Sequence, residues 1–141
     1  MYENKNGTDE ELITKAKEAM KFSYSPYSKY KVGACLLAAD GRTFTGCNVE
    51  NASYGATNCA ERTAVFKAIS EGATKFTVIA VAAEKSMPWP CAICRQVLNE
   101  FAPDIRIIVT CGDERDEALL TELLPHAFGP NNGTDEYLGK D

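Results

Sequence analysis

The chain has 141 residues, 45% of them hydrophobic and 25% charged, with a formal net charge of −5. That length suits one domain, residues 1–141, with a core of its own, and no apolar run is long enough to span a membrane. The acidic balance and scattered Lys and Arg argue against DNA or RNA as partner, because phosphate neutralisation needs a basic face; a small neutral substrate fits better.

Residues 1–7 are polar and expected to fray, and Thr8-Asp9-Glu10-Glu11 reads as a capping box opening a helix. Leu12, Ala16, Ala19 and Met20 repeat at helical spacing, and Pro26 ends the pattern in an aromatic loop, 23–30. Val32 to Ala39 reads as a strand. Asp40-Gly41 signals a hairpin, with Arg42 to Val49 returning antiparallel. After a polar loop, 50–58, the pattern from Cys59 to Ser70 is helical and stops at Gly72. Phe76 to Ala83 reads as a central strand buried on both faces. Cys91 to Phe101 is a second core helix closed by Pro103, and Ile105 to Val109 another buried strand. Residues 111–116 read as a charged turn, 118–124 as a strand running into a helical turn, and 130–141 as a loose tail. Helices between buried strands imply parallel, right-handed crossovers and a mixed sheet covered by helices. If the helices at Cys59 and Cys91 share one face, they start at the same sheet edge.

The six cysteines stand at 35, 47, 59, 91, 94 and 111. No charged-then-apolar segment opens the chain, so the expected compartment is the cytoplasm, where cysteines serve metal binding, catalysis or burial. Cys91-Ala92-Ile93-Cys94 puts two thiols one turn apart at a helix start, a spacing shared by zinc ligands and redox pairs. Cys59, at another helix start, favours metal. Three thiolates with one open position describe a catalytic zinc site, whereas a structural site wants a fourth protein ligand. The single histidine, His126, reads as a surface residue. Three thiolates leave the centre negative. Two helix N-termini would offset this, as would Arg62 and Arg95 by donating to the sulfurs. Cys35, Cys47 and Cys111 read as buried. Glu61, two residues after Cys59, matches the Cys-x-Glu…Pro-Cys-x-x-Cys pattern of zinc deaminases, where the glutamate moves protons and is not a ligand.

Together with Pro26-Tyr27-Ser28-Lys29-Tyr30, Val32-Gly33-Ala34, Gly46-Cys47-Asn48-Val49-Glu50-Asn51-Ala52, Arg95-Gln96 and Glu122-Leu123-Leu124-Pro125, these residues resemble the cytidine deaminase family in its small, homotetrameric, three-cysteine branch. The resemblance covers nearly the whole chain. It implies a three-layer α/β/α fold around a mixed five-stranded sheet with helices on both faces. It implies one Zn²⁺ per subunit on Cys59, Cys91 and Cys94, with Glu61 as the acid/base. It implies hydrolytic deamination of free cytidine and deoxycytidine in pyrimidine salvage, in a homotetramer with active sites at subunit contacts. Asn48 and Glu50 would bind the ribose, Ala60 the base through its backbone, and Tyr30 the ring; Tyr54 would build an interface and Phe128 reach a neighbouring site. Three features depart from the family pattern: Tyr30 in place of Phe, Ala92-Ile93 in place of Gly-Ala, and Trp89. The competing readings are a deaminase of another aminated nucleoside, such as a blasticidin-type antibiotic, a polynucleotide deaminase, a zinc-stabilised binding module and a thiol redox protein.

Overall fold

A computed structural model describes residues 5–130, with side chains from Thr8 onward. The looseness expected of 1–4 and 131–141 falls outside the described residues. The elements in chain order are α1 (Lys5–Met20), β1 (Val32–Ala38), β2 (Thr43–Cys47), a 3-10 turn (Tyr54–Ala56), α2 (Ala60–Ser70), β3 (Phe76–Ala83), α3 (Ala92–Phe101), β4 (Arg106–Cys111), β5 (Glu114–Leu119) and α4 (Leu120–Leu123). The five strands form one sheet in the order β2-β1-β3-β4-β5. β1 is antiparallel to both β2 and β3, β3 is parallel to β4, and β4 is antiparallel to β5. Thus β2 and β3 run the same way on either side of β1, and α2 is the crossover between them; α3 is the crossover between β3 and β4. Both crossovers step in the same direction along the sheet. A common hand therefore puts both helices on the same face, antiparallel to the strands they join.

The core lies on both sides of the sheet. On one face Leu12, Ile13 and Ala16 of α1 pack on Cys35, Val78, Ala80 and Ile108. On the other, Ala60, Ala64, Val65 and Leu98 of α2 and α3 pack on Ala34, Ile79, Val81 and Ile107. This is the expected α/β/α layering. β3 and β4 are buried on both faces, which is why their sequences are nearly unbroken apolar runs. Gly72, at φ +90°, closes α2. Its N–H donates to the Ile69 carbonyl and that of Ala73 to the Ala68 carbonyl, so two carbonyls of the last turn are satisfied.

Gly46 sets how closely α2 approaches the sheet. A Cβ there would lie 2.5 Å from the Ala64 nitrogen and 2.6 Å from the Ala60 oxygen, both backbone atoms that move only if the helix lifts. Gly46→Ala is therefore expected to lower the unfolding free energy by about 1–3 kcal/mol through overpacking. In denaturant titrations Gly55→Ala is the control, because nothing lies within 4 Å of its added methyl.

Two expectations are corrected. Helix α1 begins at Lys5, so Thr8 is inside the helix and does not cap it; Asp9 turns inward, to Arg106 and Arg115. The charged stretch expected to be a turn is largely strand: β5 starts at Glu114, and only Gly112-Asp113 separates it from β4. Its charges hide the alternation. Arg115 and Glu117 sit opposite Thr110 and Ile108, on the α1 side. There they join a network with Asp9, Glu10 and Arg106. Glu114 and Asp116 take the other face, and charge on both faces of an edge strand also discourages edge-to-edge pairing.

Candidate active site

Cys59 and Cys91 are the residues immediately before α2 and α3. Both are extended (φ −76°, ψ 157° and φ −67°, ψ 168°), and each carbonyl accepts the first helical bond of its helix, from Thr63 and Arg95. Extended backbone at the cap swings each side chain off the helix face, over the edge where β2 and β3 end. Cys94, one turn into α3, is buried beneath them. The three sulfurs lie within 4.8 Å of one another, with Cys59 Sγ 3.8 Å from Cys91 Sγ. Zinc–sulfur bonds of about 2.3 Å at tetrahedral angles put sulfurs about 3.8 Å apart, so the donor set fits zinc. Among the described residues the group has three members, and His126 is exposed at φ +52° and not one of them.

Charge around the sulfurs also suits a cation. The Cys59 thiol is held down to about 5, first by a hydrogen bond from Cys94 and then by Arg62. Cys94 is pushed up, by that same bond and by burial. Two adjacent thiolates repel, and a divalent cation is what allows all three sulfurs to ionise together. Arg62 Nη2 donates to Cys59 Sγ at 3.1 Å, while its buried Nε has no partner among the described residues. Arg95, expected to donate to a thiolate, goes elsewhere. Its Nε donates to the Pro90 carbonyl at 2.7 Å and its Nη1 to the Leu123 carbonyl at 2.9 Å. It thus braces the segment before Cys91. Arg62 follows Cys59 by three residues and reaches its sulfur; Arg95 follows Cys91 by four, an equally favourable spacing, but the Pro90 and Leu123 carbonyls draw its guanidinium away.

Glu61, 5% exposed, sits in the first turn of α2. Burial, and secondarily the Cys59 charge, push its carboxyl up to about 7, within reach of proton exchange near neutrality. A cavity of about 450 Å³ opens on it and on Cys59, Cys91 and Ala60, and extends to Tyr30, Asn48 and Glu50. At that far end the polar groups are nearly accounted for. Asn48 Oδ1 accepts from Ser23 Oγ and the Val32 N–H, and its Nδ2 donates to the Tyr30 carbonyl at 2.7 Å. An amide nitrogen has two N–H donors, so among the described residues one is left over at the cavity. Glu50 accepts from the Tyr27 and Ser28 N–H groups and from the Ser28 hydroxyl, which hold its carboxyl below the usual range.

Tyr54 and Phe128, expected at an interface and at a neighbouring site, lie outside this cavity. Tyr54 is 77% exposed, edge-on to Tyr27 at 6.1 Å, and lines an adjoining hollow of about 380 Å³ that shares Ser28, Glu50 and Thr57. Phe128 is 70% exposed, its carbonyl held by Gln96 and Asn99. Ser23, Ser28 and Ser86, which organise the cavity wall, were not singled out from sequence; each works through partners distant in the chain.

Comparison with known proteins points the same way. Residues 6–111 match the family described as the cytidine and deoxycytidylate deaminase zinc-binding region. The cytidine deaminase of Sporosarcina psychrophila is 47% identical over 122 residues, 84% of this chain and 90% of that protein. That of Halalkalibacterium halodurans is 46% identical over 127 residues, 88% and 96% of the two. The crystal structure of cytidine deaminase from Burkholderia pseudomallei superposes with a TM-score of 0.81 at 45% identity, covering 84% of this chain and 98% of that one. The enzyme from Mycobacterium tuberculosis gives 0.75 at 40% identity, covering 85% and 96%. A shared sheet order would show the fold alone; near-half identity across the stretch that carries the thiols and the buried glutamate places this chain in the cytidine and deoxycytidylate deaminase zinc-binding family.

Proposed function

We propose that this chain hydrolyses the exocyclic amino group of free cytidine and 2′-deoxycytidine, giving uridine or 2′-deoxyuridine and ammonia. The carrying observation is one cavity with a three-sulfur group and a buried carboxyl at one end and the Asn48–Glu50 pair at the other. Zinc held by Cys59, Cys91 and Cys94 would activate the attacking water by lowering its pKa towards ~7. Glu61 takes the water's proton and passes it to ring N3, so that C4 becomes electrophilic; the hydroxide adds to C4, and Glu61 carries the proton of the new C4 hydroxyl to the amine, which leaves as ammonia when the C4–N bond breaks. Arg62 spreads the negative charge of the sulfurs. The remaining N–H of Asn48 and the Glu50 carboxylate, one a donor and the other an acceptor, pair with ribose hydroxyls. Tyr30 packs on the pyrimidine and Ala60 offers its backbone to the base.

The wider setting follows from the same reading: a pyrimidine-salvage enzyme of the cytoplasm, working as a homotetramer. The exposure of Tyr54 and Phe128 supports that assembly, since both would meet a neighbouring subunit near its cavity. No described helix is long and apolar enough to cross a membrane. Metal analysis is expected to find one zinc per chain, and cytidine should show the ultraviolet change to uridine. Zinc without turnover of either nucleoside would defeat the proposal in favour of a binding module.

A further inference from the structure

The loop from the end of β3 to Cys91 forms one wall of the cavity through Met87, Pro88 and Trp89. It is pinned at two points. Behind the wall, Arg95 holds the Pro90 carbonyl. Ahead of it, the Tyr30 hydroxyl donates to the Ser86 carbonyl at 2.9 Å, and Ser86 Oγ donates back to the Tyr30 oxygen at 3.0 Å. These two bonds tie Ser86, next to the wall residues, to the stretch before β1. Tyr30 itself lines the cavity from the stretch before β1. We infer that the Tyr30 hydroxyl is a latch: it positions the Met87–Trp89 wall and so sets substrate affinity, beyond what the ring contributes by packing on the base.

The inference deepens the proposed deamination and rests on it for its kinetic half, but its structural half can be read separately. Trp89 is the only tryptophan in the chain and is half-buried in the wall. Excited at the long-wavelength edge, where the six tyrosines do not absorb, its fluorescence reports the wall alone. Tyr30→Phe keeps the ring and removes both bonds; Ser86→Ala keeps the carbonyl and removes one. In the zinc-loaded protein, Tyr30→Phe is expected to make Trp89 more open to acrylamide quenching and to shift its emission to the red. It should also raise KM for cytidine about fivefold, the scale of one net hydrogen bond, with a smaller fall in kcat. Ser86→Ala falls between Tyr30→Phe and wild type on both readouts, and thermal midpoints stay together because the bonds are exposed. A ring-packing role alone leaves Tyr30→Phe silent. Wild-type quenching, or wild-type KM, in Tyr30→Phe overturns the latch. A wild-type protein that binds zinc and turns over nothing defeats the deaminase reading instead, and quenching then still decides whether the latch exists.

Discussion

Glu61→Gln leaves zinc bound at one ion per chain and lowers kcat for cytidine by roughly 10²–10⁴-fold, the range a positioned acid–base group contributes. The amide keeps the shape of the side chain and its place in the first turn of α2, so the cavity survives. What disappears is the capacity to take a proton from water and give it up at N3 and at the amine. Glu61 is suited to both halves because burial has pushed its carboxyl to about 7, where acid and base forms are both populated near neutral pH. Its separation from the thiol group also matters: it is not one of the three residues whose donor atoms cluster, so its loss does not cost a ligand. Inductively coupled plasma measurement of zinc beside steady-state kinetics tests both halves. A kcat within tenfold of wild type would remove Glu61 from the chemistry, and loss of zinc would make it a ligand.

The second large effect is on stability and lies across the sheet from the cavity. Asp9, 0% exposed, receives both arms of the Arg106 guanidinium, at 2.7 and 3.0 Å, and Arg115 besides, at 3.0 Å. Arg106 is itself only 5% exposed. Asp9→Ala takes away the buried carboxylate, leaving Arg106 to Glu117 at 3.2 Å, and is expected to lower the unfolding free energy by up to about 3–5 kcal/mol, the cost of breaking a buried pair from one side. Replacing both partners, Asp9→Ala with Arg106→Met, removes the buried guanidinium as well and should recover much of the loss. Unfolding in guanidinium at fixed free zinc separates this from metal effects, since zinc binding stabilises the folded state by mass action. A loss below 1 kcal/mol for Asp9→Ala would mean that Glu117 and solvent already carry Arg106.

The layered fold was legible because its inner strands are apolar on both faces and its helices carry alanines at one-turn spacing. β5 was not. Its alternation is between charges facing α1 and charges facing out, and hydropathy is blind to that difference. The sulfurs and Glu61 were legible because their spacing is local: Cys-x-Glu and Cys-x-x-Cys each fall within one helix start. Arg62 donates to the Cys59 sulfur and Arg95 to two backbone carbonyls, although both adjoin a motif. The helical repeat does not separate them, since Arg95 stands four residues after Cys91 as Arg62 stands three after Cys59; what decides is the pair of carbonyls, of Pro90 and Leu123, that Arg95 meets in the fold. The cavity wall was beyond sequence reasoning. Tyr30 and Ser86 are 56 positions apart, and nothing in either neighbourhood announces the other.

Cys59 and Cys91 are 32 positions apart and belong to successive crossovers, so no short segment of this chain assembles the ligand set. A nascent chain that has emerged only as far as β3 offers zinc one of the three sulfurs. With the sheet unzipped, Cys91 and Cys94 remain a weak pair. An ion seated across all three acts as a rivet whose hole is drilled only when β3 docks beside β1, so zinc retention gauges whether the sandwich is whole. Metal release on mild denaturation should accordingly track the sheet and not the fraying of either helix.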